Sequence, residues 1–166
     1  MFELKPITAE AVPRALDKAE RYRLLNEPGE AQSICLDVLA VDPDNQQAVA
    51  TMILALTDQF VTDSSAVHEA LASVADLRDE YDRAYYTGIV HERRAKAHLA
   101  HGTPLGGSAA WGWLQQAMRS FETADALRPR NNDDARLRWN ACARLIARNP
   151  EIAPMVEDPQ EPLLSE

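Results

Sequence analysis

Among 166 residues there are two cysteines, six glycines, ten aromatic side chains and no run of 18 uncharged apolar residues. Each scarcity removes a class of protein. Cys35 and Cys142 are too few and too far apart for a disulfide scaffold or a metal knuckle, and each sits in an apolar helical stripe, which fits buried thiols in a reducing compartment. Six glycines with no period exclude a collagen-like chain, and 46% hydrophobic residues exclude a wholly disordered one. The missing apolar run argues against a membrane span, and the opening Met1-Phe2-Glu3-Leu4-Lys5-Pro6 has no basic segment followed by an apolar stretch. A cytoplasmic protein is the expectation. The phosphate-cradling Gly-x-Gly-x-x-Gly and Gly-x4-Gly-Lys-Ser/Thr patterns and the hydrolase Gly-x-Ser-x-Gly pattern are absent too, so those nucleotide and hydrolase templates have nothing to stand on.

Acidic and basic residues are both present, and they are segregated. The net charge is −9, with 14 Arg against 3 Lys, which argues against general affinity for nucleic acid or for an anionic membrane. Residues 1–82 carry 6 basic and 16 acidic side chains, residues 83–149 carry 11 and 5, and residues 150–166 carry 0 and 5. An acidic, basic, acidic order of this kind suits either steering of a charged partner or contact between copies, as well as ordinary solvated helix faces.

Apolar residues recur at helical spacing through almost the whole chain, with no sustained alternation of Val, Ile and Thr, so the predicted class is all-α. Val12, Ala15, Leu16, Ala19 and Tyr22 form a first stripe closed by Glu27-Pro28-Gly29, and Ala31, Ile34, Cys35, Val38 and Leu39 a second closed by Asp42-Pro43. A third helix carries Val49 to Phe60, and Asp63-Ser64-Ser65 is placed to cap a fourth through Leu77. A fifth starts near Tyr81 and runs to about Ala100, Ser108 is expected to cap a sixth reaching Leu127, and a seventh spans about Asn132 to Arg148.

Starts at Val12, Gln47 and Tyr81 are spaced by 35 and 34 residues, a period that marks helix pairs stacked on one another. Ala19, Leu54 and Gly88 fall at one shared position of these frames, Ala31, Ala66 and Ala117 at another. With Tyr22-Arg23-Leu24-Leu25, Pro28-Gly29-Glu30-Ala31, Asp42-Pro43-Asp44-Asn45 and Ala124-Asp125-Ala126-Leu127-Arg128-Pro129, the chain resembles the tetratricopeptide repeat family. That resemblance implies a right-handed helical-hairpin solenoid of about seven helices over residues 1–149. Its repeats are 12–46, 47–80 and 81–131, with an insertion near 101–107 and a capping helix at 132–148. Leu54 stands where a small residue is usual, and Arg78 where the repeat ordinarily closes on Pro.

The resemblance also implies a non-catalytic adaptor whose first helices line a concave groove for an extended segment of a partner protein, with no cofactor. The groove-facing positions are then Leu16, Glu20, Arg23, Thr51, Ala55, Asp58, Gln59, Tyr85, Ile89, Glu92, Arg93, Arg136, Asn140 and Arg144. The last three lie at i, i+4 and i+8 on one helix face, where guanidinium forks and an amide suit a carboxylate. Arg136 and Asn140 resemble half of the family's carboxylate clamp. Two other functions stay open: a metal-dependent enzyme using His91, His98 and His101, and a scaffold that assembles head to tail through its segregated charge. Trp111 is expected in the core and Trp113 at the surface. Residues 150–166, with four prolines and five acids, are expected to be a disordered tail able to approach the basic segment.

Overall fold

Helix ends follow the local chemistry of the chain, and the computed structural model describes them over residues 1–156. A short 3-10 turn at Ala9–Ala11 leads into α1 (Val12–Leu24), followed by α2 (Pro28–Val41), α3 (Gln46–Thr57), α4 (Ala66–Val74), α5 (Glu80–His101), α6 (Gly106–Leu127) and α7 (Asp134–Arg148). The class is all-α, and no strand forms among the described residues. α1 stops at Asn26, which takes the left-handed backbone at φ 60° that Asn tolerates better than most residues, and Pro28 then opens α2 where its missing N–H costs nothing. The Asn45 side chain accepts the Ala48 N–H at 2.9 Å to start α3, and the Asp79 carboxylate accepts the Tyr81 N–H at 2.9 Å to start α5.

Two expected caps are built differently. Before α4 the acceptor is Asp63, which takes the Ser65 N–H at 2.9 Å and the Ser65 hydroxyl at 2.6 Å, so Ser65 is held rather than capping. α6 begins at Gly106, two residues before Ser108, whose hydroxyl donates back to the Leu105 carbonyl at 3.1 Å.

Each helix packs on the next, and α1 also touches α3 and α3 touches α5. The small residues sit where the helices cross: Ala19, Ala31 and Ala117 are fully buried and Ala66 nearly so. Gly88 is the tightest such point. A Cβ there would lie 2.5 Å from the Phe121 ring, so only glycine lets α6 seat its phenylalanine on the α5 backbone. Around that contact α5 and α6, both of 22 residues, form the longest helix pair in the fold.

After α7 the chain turns back instead of leaving the fold. Ile152 is 3% exposed and joins the core of α5 to α7, and the Glu151 carbonyl lies so close to Gly107 that no side chain fits between them. The folded region therefore passes the expected boundary at 149, because Ile152 supplies apolar surface to the α5–α6 end. The remainder of the predicted tail, 157–166, lies outside the described residues. No helix among the described residues is long and apolar enough to cross a membrane.

Candidate functional site

Three alternate helices bring their charges together at one place. Arg23 near the end of α1 donates from Nε to Asp58 just past α3 at 2.8 Å, and Arg93 of α5 approaches the other Asp58 oxygen at 3.6 Å. Arg23, Asp58 and Arg93 are each 35 residues apart in sequence, and the contacts of α1 with α3 and of α3 with α5 bring them to one side. Asp58 and Arg23 are each about one-fifth exposed and Arg93 one-third exposed, so the row is shielded from bulk solvent without being sealed. The Arg93 Nε–H is buried and has no acceptor. Leaving such a donor unpaired costs about 1–3 kcal/mol, a cost the fold itself carries because the atom is closed to solvent.

This row forms the floor of an open groove of about 430 Å³. Arg23 of α1 and Arg93 and Lys96 of α5 line it as three cations, with Asp58 as its one lining acid and Lys96 paired to the buried Glu92, and Leu24, Val61 and Ala100 add apolar surface. Leu24 is 88% exposed and Val61 51%, an unusual display of large apolar side chains beside charge. The outcome is an amphipathic, cation-rich surface. It suits binding and positioning of a chain segment.

Of the expected groove residues, Arg23, Asp58 and Arg93 meet as described. Leu16, Thr51, Ala55, Ile89 and Glu92 are buried and present no surface to a partner, because they fall on the core side of their helices. Glu92 is 1% exposed and neutralised within the fold by Lys96 of the same helix and by Arg138 of α7 at 3.4 Å, a tie between α5 and α7. Gln59 turns away to α2, donating to Gln32 at 3.0 Å. Tyr85 is engaged in an aromatic cluster, with ring centroids 5.8 Å from Tyr81, 5.2 Å from Tyr86 and 6.0 Å from Phe121. Glu20 is exposed on α1.

Arg136, Asn140 and Arg144 do share one exposed face of α7, but none of them lines the groove of the Arg23 row. Arg136 is already held by Asp125 at 2.7 Å, and this bond keeps the Asp125 carboxyl below its ordinary pKa. Beside them Trp139 donates to Glu122 at 3.0 Å, so the expected clamp is bordered by two carboxylates of its own chain. Sequence reasoning missed Lys96 and Arg138. Both were signalled: Lys96 is one turn beyond Arg93, and Arg138 stands one turn from Ala135 and from Cys142, the buried face of α7.

His91 stands apart from His98 and His101, which line one small cavity. His91 stacks on Trp113 at 5.4 Å, and burial, then the charge of Arg94, lowers its pKa. His98 is lowered too, by burial and then by Arg94 and His101, while the His101 Nε2 lies 2.8 Å from the Val61 carbonyl. Among the described residues no three His, Cys, Asp or Glu side chains come together as a metal site. Trp113 is half-buried rather than free, with the Arg94 guanidinium 3.9 Å from its ring centre, and Trp111 is half-buried against the same core. Both thiols are buried, with burial pushing Cys35 up to about 11 and Cys142 up to about 12, which leaves them protonated and unreactive near neutral pH. No family model matches the chain, and neither a curated protein nor a solved structure matches it.

Proposed function

We propose that the chain is a non-catalytic protein-interaction module of tetratricopeptide-like, stacked-hairpin architecture, acting in the cytoplasm. The observation that supports this reading is the Arg23–Asp58–Arg93 row, built from three alternate helices along an open groove. Guanidinium forks suit a carboxylate, and the Arg93 side chain is one-third exposed with only a loose contact to Asp58 at 3.6 Å. An extended segment would lie across the row, with carboxylates on Arg23, Arg93 and Lys96 and a bulky apolar side chain against Leu24 and Val61. The buried, protonated thiols fit a reducing compartment.

A random-peptide display library panned on the full chain tests this. Enriched sequences should hold Asp or Glu beside an aliphatic residue, and an Arg23→Ala/Arg93→Ala variant should bind them at least ~10-fold more weakly, the equivalent of one lost charge-assisted contact. A library that yields no binders, or binders indifferent to that double substitution, overturns the reading.

A further inference from the structure

We infer that the groove between α1, α3 and α5 is the docking site for residues 157–166 of the same chain, which would make the module self-occluding. The inference rests on the proposed binding role of that groove. Charge is the first argument. The segment Glu157-Asp158-Pro159-Gln160-Glu161-Pro162-Leu163-Leu164-Ser165-Glu166 has four acids and no base, and the groove offers Arg23, Arg93 and Lys96 against Asp58 and the Glu92 that pairs with Lys96, an excess of positive charge. Shape is the second. Two adjacent leucines suit the exposed Leu24 and Val61 rim, and prolines at 159 and 162 favour an extended strand of chain whose backbone needs no helix partner.

The chain path is the third argument. Ile152 is anchored in the core, and Ala153 and Pro154 lie beside His98, Leu99 and Gly102 at the end of α5. Lys96, Ala97 and Ala100 of the same helical end line the groove on its opposite face. A helix with its side chains is about 10–12 Å thick. Ten extended residues span about 33 Å, enough to round α5 and lie along the groove. The α7 face of Arg136 is a poorer target, since Asp125 and Glu122 already stand there.

The intact chain carrying Ser165→Cys takes a nitroxide label at that position, because both native thiols are buried. Paramagnetic broadening should strike the amides of Leu24, Val61 and Ala100 in low salt. It should fade in concentrated salt, where the screening length falls from ~10 Å at 0.1 M to ~3 Å at 1 M. A Glu157→Lys/Asp158→Lys/Glu161→Lys variant, which leaves the described fold untouched, should lose the broadening and bind display-selected acidic peptides severalfold more tightly than wild type. Broadening confined to the Arg136 face, broadening that appears only between labelled and unlabelled copies, or none at all overturns the inference. If acidic peptides still bind the groove in any of those cases, the proposed function stands and only the internal occupant is wrong; if they do not, both fall.

Discussion

In α1 to α4 the buried interior is closed by Val49, Met52, Ile53 and Leu56 against alanines at 19, 31, 66 and 70, with Phe60 as the ring among its fully buried members. In α5 to α7 the interior is built from rings: Tyr81 and Phe121 are buried, and Tyr85, Tyr86, Trp111, Trp113 and Trp139 pack around them. The two regions show how differently a helix interface can be made. Aliphatic groups on alanine fill space by many weak contacts and can adjust, whereas a planar ring seated on Gly88 leaves no room for even one added carbon. The charge differs as well, acidic over residues 1–82 and basic over 83–149. The groove lies at the seam, taking Arg23 and Asp58 from one side and Arg93 and Lys96 from the other.

Removing the ring is expected to have the largest effect. Phe121→Ala should cost about 3–5 kcal/mol, read from urea unfolding, because the ring is fully buried and the Gly88 notch would be left empty. Filling the notch comes next. Gly88→Ala should cost about 1–3 kcal/mol through overpacking, and combining it with Phe121→Leu should recover part of that loss, a coupling that a double-mutant cycle measures. Additive costs would mean that the ring and the glycine do not define this interface.

In the aliphatic half, Ile53→Val should cost only about 0.5–1.5 kcal/mol, with unfolding still a single transition. A cost as large as that of Phe121→Ala would erase the contrast between the halves. The smallest effect is with pH. His91 and His98 both have folded pKa values below the ordinary 6.5, so the unfolded chain takes up protons first as the pH falls. Stability should be full above about 6.5 and decline as the pH drops below it, and His91→Gln should flatten that slope without abolishing it. A slope that steepens in the variant would contradict the burial of His91 against Trp113.

Much of the helix layout was legible because local chemistry dictates it. Pro28 marks a start that depends on its own backbone, and the apolar stripes of α1 and α2 lie on core faces, whereas Thr51, Ala55 and Ile89, expected to face the groove, are core as well. Ala19, Ala31, Ala66 and Ala117 are buried and Gly88 lies under the Phe121 ring, while Leu54, at the position shared with Ala19 and Gly88, is only partly buried. The candidate site was only partly legible. Arg23, Asp58 and Arg93 follow from the spacing, but Gln59 is one residue from Asp58 and a helical step of about 100° turns it to α2 instead. Arg136 looked free because its partner Asp125 is on another helix, and nothing in α7 announces it.

The sequence by itself determined that the chain is helical, where most helices begin and end, and which stripe of each is apolar, since these depend on residues within a few positions of one another. Tertiary structure decided what those helices do to each other's side chains. Glu92 reads as a surface acid and becomes a buried tie among Lys96 and Arg138; Ile152 reads as part of a solvated tail and becomes core. Lys96, Leu24 and Val61 join Arg93 and Arg23 in one groove. Burial and charge pairing are sums over neighbours distant in sequence, so their sign at any residue is set only when the helices have packed.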